Sequence, residues 1–174
     1  NTALQGILVA QSGTLQIKVV YDVATGMGGV PTNYSLAGFS RRDGSKTQTA
    51  TTIIFPAITA GVDVTPDLGQ ALQQLPSNAT NYTFTFLVHN TGNGPDNFNL
   101  VASHPGVAVS LVSVNGVGGT TTSIALASNA SQNIAVVYTV LNVAAGTKDT
   151  VVLTATSVAN NAVFDIGSAD LTVI

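Results

Sequence analysis

The feature that most constrains this chain is a strict period-two stretch at residues 81–90, where Tyr82, Phe84, Phe86 and Val88 share one face and Thr83 and Thr85 the other. Successive side chains alternate sides only in an extended strand, so an apolar face backed by hydroxyls describes a half-buried antiparallel β-strand. The stretch runs into Asn-Thr-Gly-Asn-Gly-Pro at 90–95, a dense turn signal, and strand character resumes over 96–101. Two neighbouring strands flanking one hairpin are expected. Short runs of the same kind follow at 107–114, 124–126, 134–141, 150–158 and 169–174, separated by Gly, Asn or Ser. Their expected inward residues are Ile134, Val136, Tyr138 and Val140, then Val151, Leu153 and Ala155. Regular strands with brief loops predict an all-β antiparallel sandwich.

Only residues 66–75 depart from this grammar. Leu68, Leu72 and Leu75 recur at helical spacing between an Asp67 cap and Pro76, which predicts one or two helical turns, or a loop, crossing an end of the sandwich. Gly69 weakens the helix. Before residue 60 the texture changes again. Residues 4–10 and 14–23 read as strands, 25–31 as a glycine-rich breaker, and 48–55 as a β-branched stretch without strict alternation.

What coats such a sandwich is unusual. Charged residues are 7% of the chain, against about 25% in typical soluble proteins. Polarity comes instead from 23 Thr, 13 Ser and 14 Asn, with no Glu. A net charge of -3 and five scattered cations form no basic stripe, so no nucleic-acid surface is expected. The one cationic cluster, Arg41, Arg42 and Lys46, reads as a solvated turn around Asp43-Gly44. Absence of cysteine removes disulfides, thiol catalysis and thiolate metal sites. No run of about 18 apolar residues exists, and membrane insertion is not expected. Starting on Asn1, the chain reads as a mature form without its export signal, or as a piece of a longer one.

The residue types that carry chemistry are dispersed. Glycosidase-type catalysis needs two facing carboxylates, but Asp22, Asp43, Asp67, Asp96 and Asp149 all sit in turn-like contexts. His89 and His104 flank the presumed hairpin without a metal-binding pattern and read as solvated or hydrogen-bonded. No Gly-x-Ser-x-Gly elbow occurs, and the loops at 26–29 and 116–119 read as hairpin turns rather than phosphate cradles. Asn93, Asp96 and Asn97 are the only calcium candidates, and Asx turns explain the same residues. Sequons at Asn33, Asn78, Asn81 and Asn129 are glycosylation candidates, with Asn78 and Asn81 expected to be accessible. No enzyme activity and no cofactor are expected.

From about residue 60 onward the chain resembles the immunoglobulin-like modules of bacterial and archaeal envelope proteins, the DUF11 or NEW3-like repeats. The segments carrying the likeness are 61–67, 82–93, 96–100, and 140–146 followed by 150–157. The resemblance implies an immunoglobulin-like, Greek-key β-sandwich with an N-terminal strand-forming extension, divided as residues 1–23, 24–174, and 61–174 for the module itself. More distantly, the whole chain is similar to extracellular fibre subunits of the TasA-like and archaeal bundling-pilus or thread kind. That likeness implies that each subunit lends a terminal strand to the open sheet of the next. The donor candidates are Leu4, Ile7, Leu8, Val9, Leu15, Ile17 and Val19.

The expectation is therefore an extracellular, cell-surface filament or pilus subunit in a head-to-tail homopolymer, serving adhesion or biofilm scaffolding. The alternative is a non-polymerising spacer or carbohydrate-binding module of a larger surface protein, with surface glycans or other envelope proteins as partners and Tyr21 and Tyr34 as its exposed aromatics.

Overall fold

The structure, a computed structural model, describes residues 7–24, 26–67 and 72–174, without the side chains of 77–79. Among the described residues there are twelve strands and no helix. In chain order they are β1 (Thr32–Phe39), β2 (Thr47–Ile54), β3 (Asp63–Thr65), β4 (Leu72–Gln74), β5 (Ser77–His89) and β6 (Asp96–Ser103), followed by β7 (Val109–Val114), β8 (Val117–Gly118), β9 (Thr121–Leu126), β10 (Ser131–Val140), β11 (Lys148–Ser157) and β12 (Phe164–Val173). Two five-stranded sheets, β3-β5-β10-β7-β8 and β4-β12-β11-β6-β9, pack face to face.

This order is immunoglobulin-like. The first strand splits between the sheets as β3 and β4, the next strand of the chain, β5, lies beside β3, and β6 crosses to the opposite sheet. The predicted all-β, immunoglobulin-like Greek-key sandwich is thus the fold observed. Every pairing in the two sheets is antiparallel except the three-residue β4–β12 contact.

Alternation places the core. Ile134, Val136, Tyr138 and Val140 of β10 and Val151, Leu153 and Ala155 of β11 are all buried, with Phe86, Val88, Phe98 and Leu100 between the same two layers. Fully burying a side chain of this size contributes roughly 1.5–3 kcal/mol, so cohesion here is overwhelmingly apolar. Among the described residues the sole ion pair is His104 with Asp149. Asn115 and Gly116, both at positive φ (50° and 78°), make the two-residue β7–β8 turn that a right-twisted hairpin requires.

Three local expectations are corrected. Residues 90–95 do not close a hairpin, because β5 and β6 belong to different sheets and the segment crosses the end of the sandwich. The helical reading of 66–75 fails at Leu72, which opens a strand paired with Leu171 of β12; Leu68 lies outside the described residues. Residues 7–24 form no strand, although alternation predicts one.

Candidate assembly interface

One loop organises everything outside the sandwich. Asn90 continues the inner phase of β5 and is fully buried. Its amide donates to the carbonyls of Gly94, Leu126 and Ala127 at 3.0, 3.1 and 3.1 Å, and its Oδ1 accepts from Gly92 N at 2.9 Å. Asparagine suits this place because it offers donors and an acceptor together. The loop it fixes then grips two incoming segments. Gly28 N donates to Asn93 O (2.8 Å), Gly29 N to Pro56 O (2.9 Å), Thr59 N to Asn93 Oδ1 (2.7 Å), and Asn93 Nδ2 to Ala57 O (3.0 Å). A Cβ on Gly28 would run into the Asn93 side chain, so glycine is required for this close approach. The glycines at 26–29 therefore serve a clamp rather than the hairpin turn expected of them.

From this clamp two elements project. The first is the arm, residues 7–24, which turns once at residues 10–13, where Gly13 N donates to Ala10 O (2.8 Å), and joins no sheet. Its candidates Ile7, Leu8, Val9, Leu15, Ile17 and Val19 are all exposed, Leu8 by 96%, and Val20 is exposed by 79%. Leu4 lies outside the described residues. Leu15, Ile17, Val19, Tyr21 and Val23 alternate, broken only by Val20 in the opposite phase, so the arm carries the apolar face of a strand that no described strand pairs with.

The second is the β1–β2 hairpin, a two-stranded sheet in register from Thr32↔Ile54 to Phe39↔Thr47. Nearly all of it is solvated, and Phe39 and the adjoining Phe55 are 68% and 71% exposed. Two strands alone are marginal in water. Its tip carries Arg41, Arg42 and Lys46, three of the chain's five cations. There Asp43 accepts from Ser45 N and Oγ, and these hydrogen bonds hold its carboxyl below the usual range. Tyr34 of β1 meets Tyr21 of the arm at 4.7 Å between ring centres.

Other candidates have structural work. Asn93 spends its amide on the clamp, Asp96 accepts from Ser157 Oγ and from Ala159 N at 3.1 Å, and Asn97 gives its N–H to Asp96. His89 and His104 do not meet: His89 bonds Asn129 Oδ1 (3.2 Å) and His104 bonds Asp149 (3.3 Å). Of the sequons, Asn33 on β1, Asn81 on β5 and Asn129, the last at positive φ, are exposed, and the Asn78 side chain is outside the description. The carboxylates of Asp63, Asp67 and Asp165 come within 4.8 Å of one another, a grouping with the geometry to hold a cation. Asp165 Oδ2 meanwhile accepts from Val64 N at 2.7 Å, which ties β3 to β12.

Asp149 is a structural site that its turn-like context hid. Buried at the start of β11, it accepts from the N–H groups of Gly106 (2.7 Å), Ala108 (2.9 Å), Val109 (3.0 Å) and its neighbour Thr150 (2.8 Å). Burial alone raises its carboxyl, but the N–H groups of Thr150, Gly106 and Ala108, with His104 adding its charge, hold it below the usual range.

No sequence-family model matches the chain. No curated protein matches it either. Among solved structures it is similar over 65% of its length to the secreted serine protease VesC from Vibrio cholerae (18% identity, TM-score 0.44), spanning 23% of that chain. It is similar over 65% to a PapD-like domain of human CEP192 (10%, TM-score 0.38, 84% of that chain) and over 68% to a family 123 glycoside hydrolase from Clostridium perfringens (9%, TM-score 0.41, 27% of that chain). At these identities and scores the likenesses carry no functional argument.

Proposed function

We propose that this chain is a structural subunit of an extracellular filament or pilus, polymerised by lending its N-terminal arm to a neighbouring copy, in the service of adhesion or biofilm scaffolding. The carrying observation is the arm itself, which alternates like a strand, exposes its apolar face, and is anchored to the clamp while pairing with no described strand. A strand added to another chain's sheet gains backbone hydrogen bonds and buries its alternate side chains at once. A head-to-tail contact of this sort does not close on itself, so it propagates. The work in this reading is mechanical rather than catalytic. Apolar burial and backbone ladders depend little on pH or salt, which suits exposure outside a cell.

The test is negative-stain electron microscopy of the whole chain beside a version lacking residues 1–23. Uniform fibres from the former, and folded single particles from the latter, are expected. Fibres that persist without the arm would contradict donation. The contact of Tyr21 with Tyr34 favours a second reading, a glycan-binding surface module. That reading predicts monodisperse particles that retain a glycan on a sugar array and lose it on Tyr34→Ala substitution.

A further inference from the structure

We propose that the outer edge of β5 over residues 82–86 receives the arm of a second copy of this chain, laid as an added strand antiparallel to β5. This rests on the donation reading above and names the site that accepts the strand.

Among the described residues the edge is left open where β3 ends. β3 covers β5 only opposite residues 87–89. A longer β3 would continue opposite 86 and beyond, but β3 ends at Thr65 and the chain leaves β5 at Pro66. Its carbonyl accepts instead from Ser168 N (2.8 Å), and Asp67 O from Ser168 Oγ (2.8 Å), which draws the chain over to β12. Opposite residues 82–86 no described residue fills the vacated column. The core records the gap: Phe86 and Val88 are fully buried, whereas Tyr82 and Phe84 on the same inner face are only half-buried. An open groove of ≈ 500 Å³ lies at this point, lined by Thr65, Pro66, Phe84, Thr85, Leu87 and Asn133. Outward backbone groups along such an edge need a strand or water.

The arm supplies what is missing. With Leu15, Ile17, Val19, Tyr21 and Val23 turned inward, it covers Phe84 and Tyr82, and Gln16, Lys18, Val20 and Asp22 fall beside Thr83 and Thr85 on the solvent face. At ~3.3 Å per residue, residues 15–23 span ~30 Å against ~17 Å of open edge, leaving length to reach the donor's clamp. The partner is a second copy because of direction. In its own chain the arm and β5 both run toward the Asn93 clamp, so an arm folded home would lie parallel to β5 and would first have to pass β3. An arm arriving from the Ser77 end, the end away from the acceptor's own clamp, meets no β3 and runs antiparallel.

The chain contains no cysteine, so single-cysteine variants report this contact cleanly. Lys18→Cys or Val20→Cys copies are mixed with Thr83→Cys or Thr85→Cys copies, assembled, oxidised and resolved by non-reducing electrophoresis. Ser123→Cys, on the open edge of β9, is the comparison. The expected result is a disulfide-linked dimer from at least one β5 pairing, at several-fold the yield with Ser123→Cys. Fibres that require the arm but link it to Ser123→Cys, or give no β5 dimer, overturn this site while leaving donation standing. Assembly that survives arm deletion removes the donation reading and this site together.

Discussion

Replacing Asp149 by alanine removes the acceptor of three N–H groups from another loop, those of Gly106, Ala108 and Val109, two of which belong to buried residues. Hydrogen bonds to a charged group contribute ~1.5–3 kcal/mol each, and a buried donor left without a partner costs about 1–3 kcal/mol. The three share one acceptor and the loop can relax toward water, so the full sum is not realised and a loss of ~3–5 kcal/mol is expected. For a chain of this length that lowers Tm by ~6–20 °C. His104→Ala should cost far less, since its half-exposed ring makes one 3.3 Å contact. The effect also has a pH signature. The carboxyl titrates lower in the folded state than in the unfolded chain, so its stabilisation is fully present above about pH 4 and is lost as pH falls through the folded value. Urea denaturation of the arm-deleted sandwich, followed by circular dichroism at pH 7 and pH 2.5, reads both. The gap between native and Asp149→Ala proteins should be wide at pH 7 and narrow at pH 2.5. A gap under ~1 kcal/mol at neutral pH, or one that widens in acid, would refute the reasoning.

Two further substitutions probe the same frame. Asn90→Asp is nearly isosteric but turns an oxygen toward three carbonyls where the amide now donates; a loss of ~3–5 kcal/mol in urea denaturation is expected, easing as pH falls and the acid protonates. Gly167→Ala would set a Cβ 2.8 Å from Val64 Cγ1, 2.9 Å from Phe86 Cδ1 and 3.1 Å from Pro66 O, and should cost ~1–3 kcal/mol by thermal melting, with loosening of β3 seen as faster amide exchange at Val64.

Much of the sandwich was legible because a half-buried strand writes its burial into every second residue, as β10 and β11 do. The same phase also marks polar residues that turn context disguised. Asn90 continues Phe86 and Val88, Asp149 precedes Val151 and Leu153, and Asp165 precedes Gly167 and Ala169, so each points inward at a strand end, where loop or edge backbone needs a partner. Periodicity was silent on β4, because three residues cannot distinguish a strand from Leu72 and Leu75 at helical spacing. It was silent also on sheet crossing, since the turn chemistry of 90–95 serves a hairpin and a crossover equally. In the arm, alternation specified a face but not a partner. That is why residues 14–23 read as a strand and yet pair with nothing in one chain.

Hydrogen–deuterium exchange of residues 7–24, compared between dispersed chains and assembled material, tests that reading most directly. Without a ladder these amides should exchange within seconds when dispersed. On assembly those of 15–23 should slow by orders of magnitude, to rates like those of β10 and β11. Amides that exchange equally fast in both states would contradict the claim that the arm is a strand completed by its neighbour.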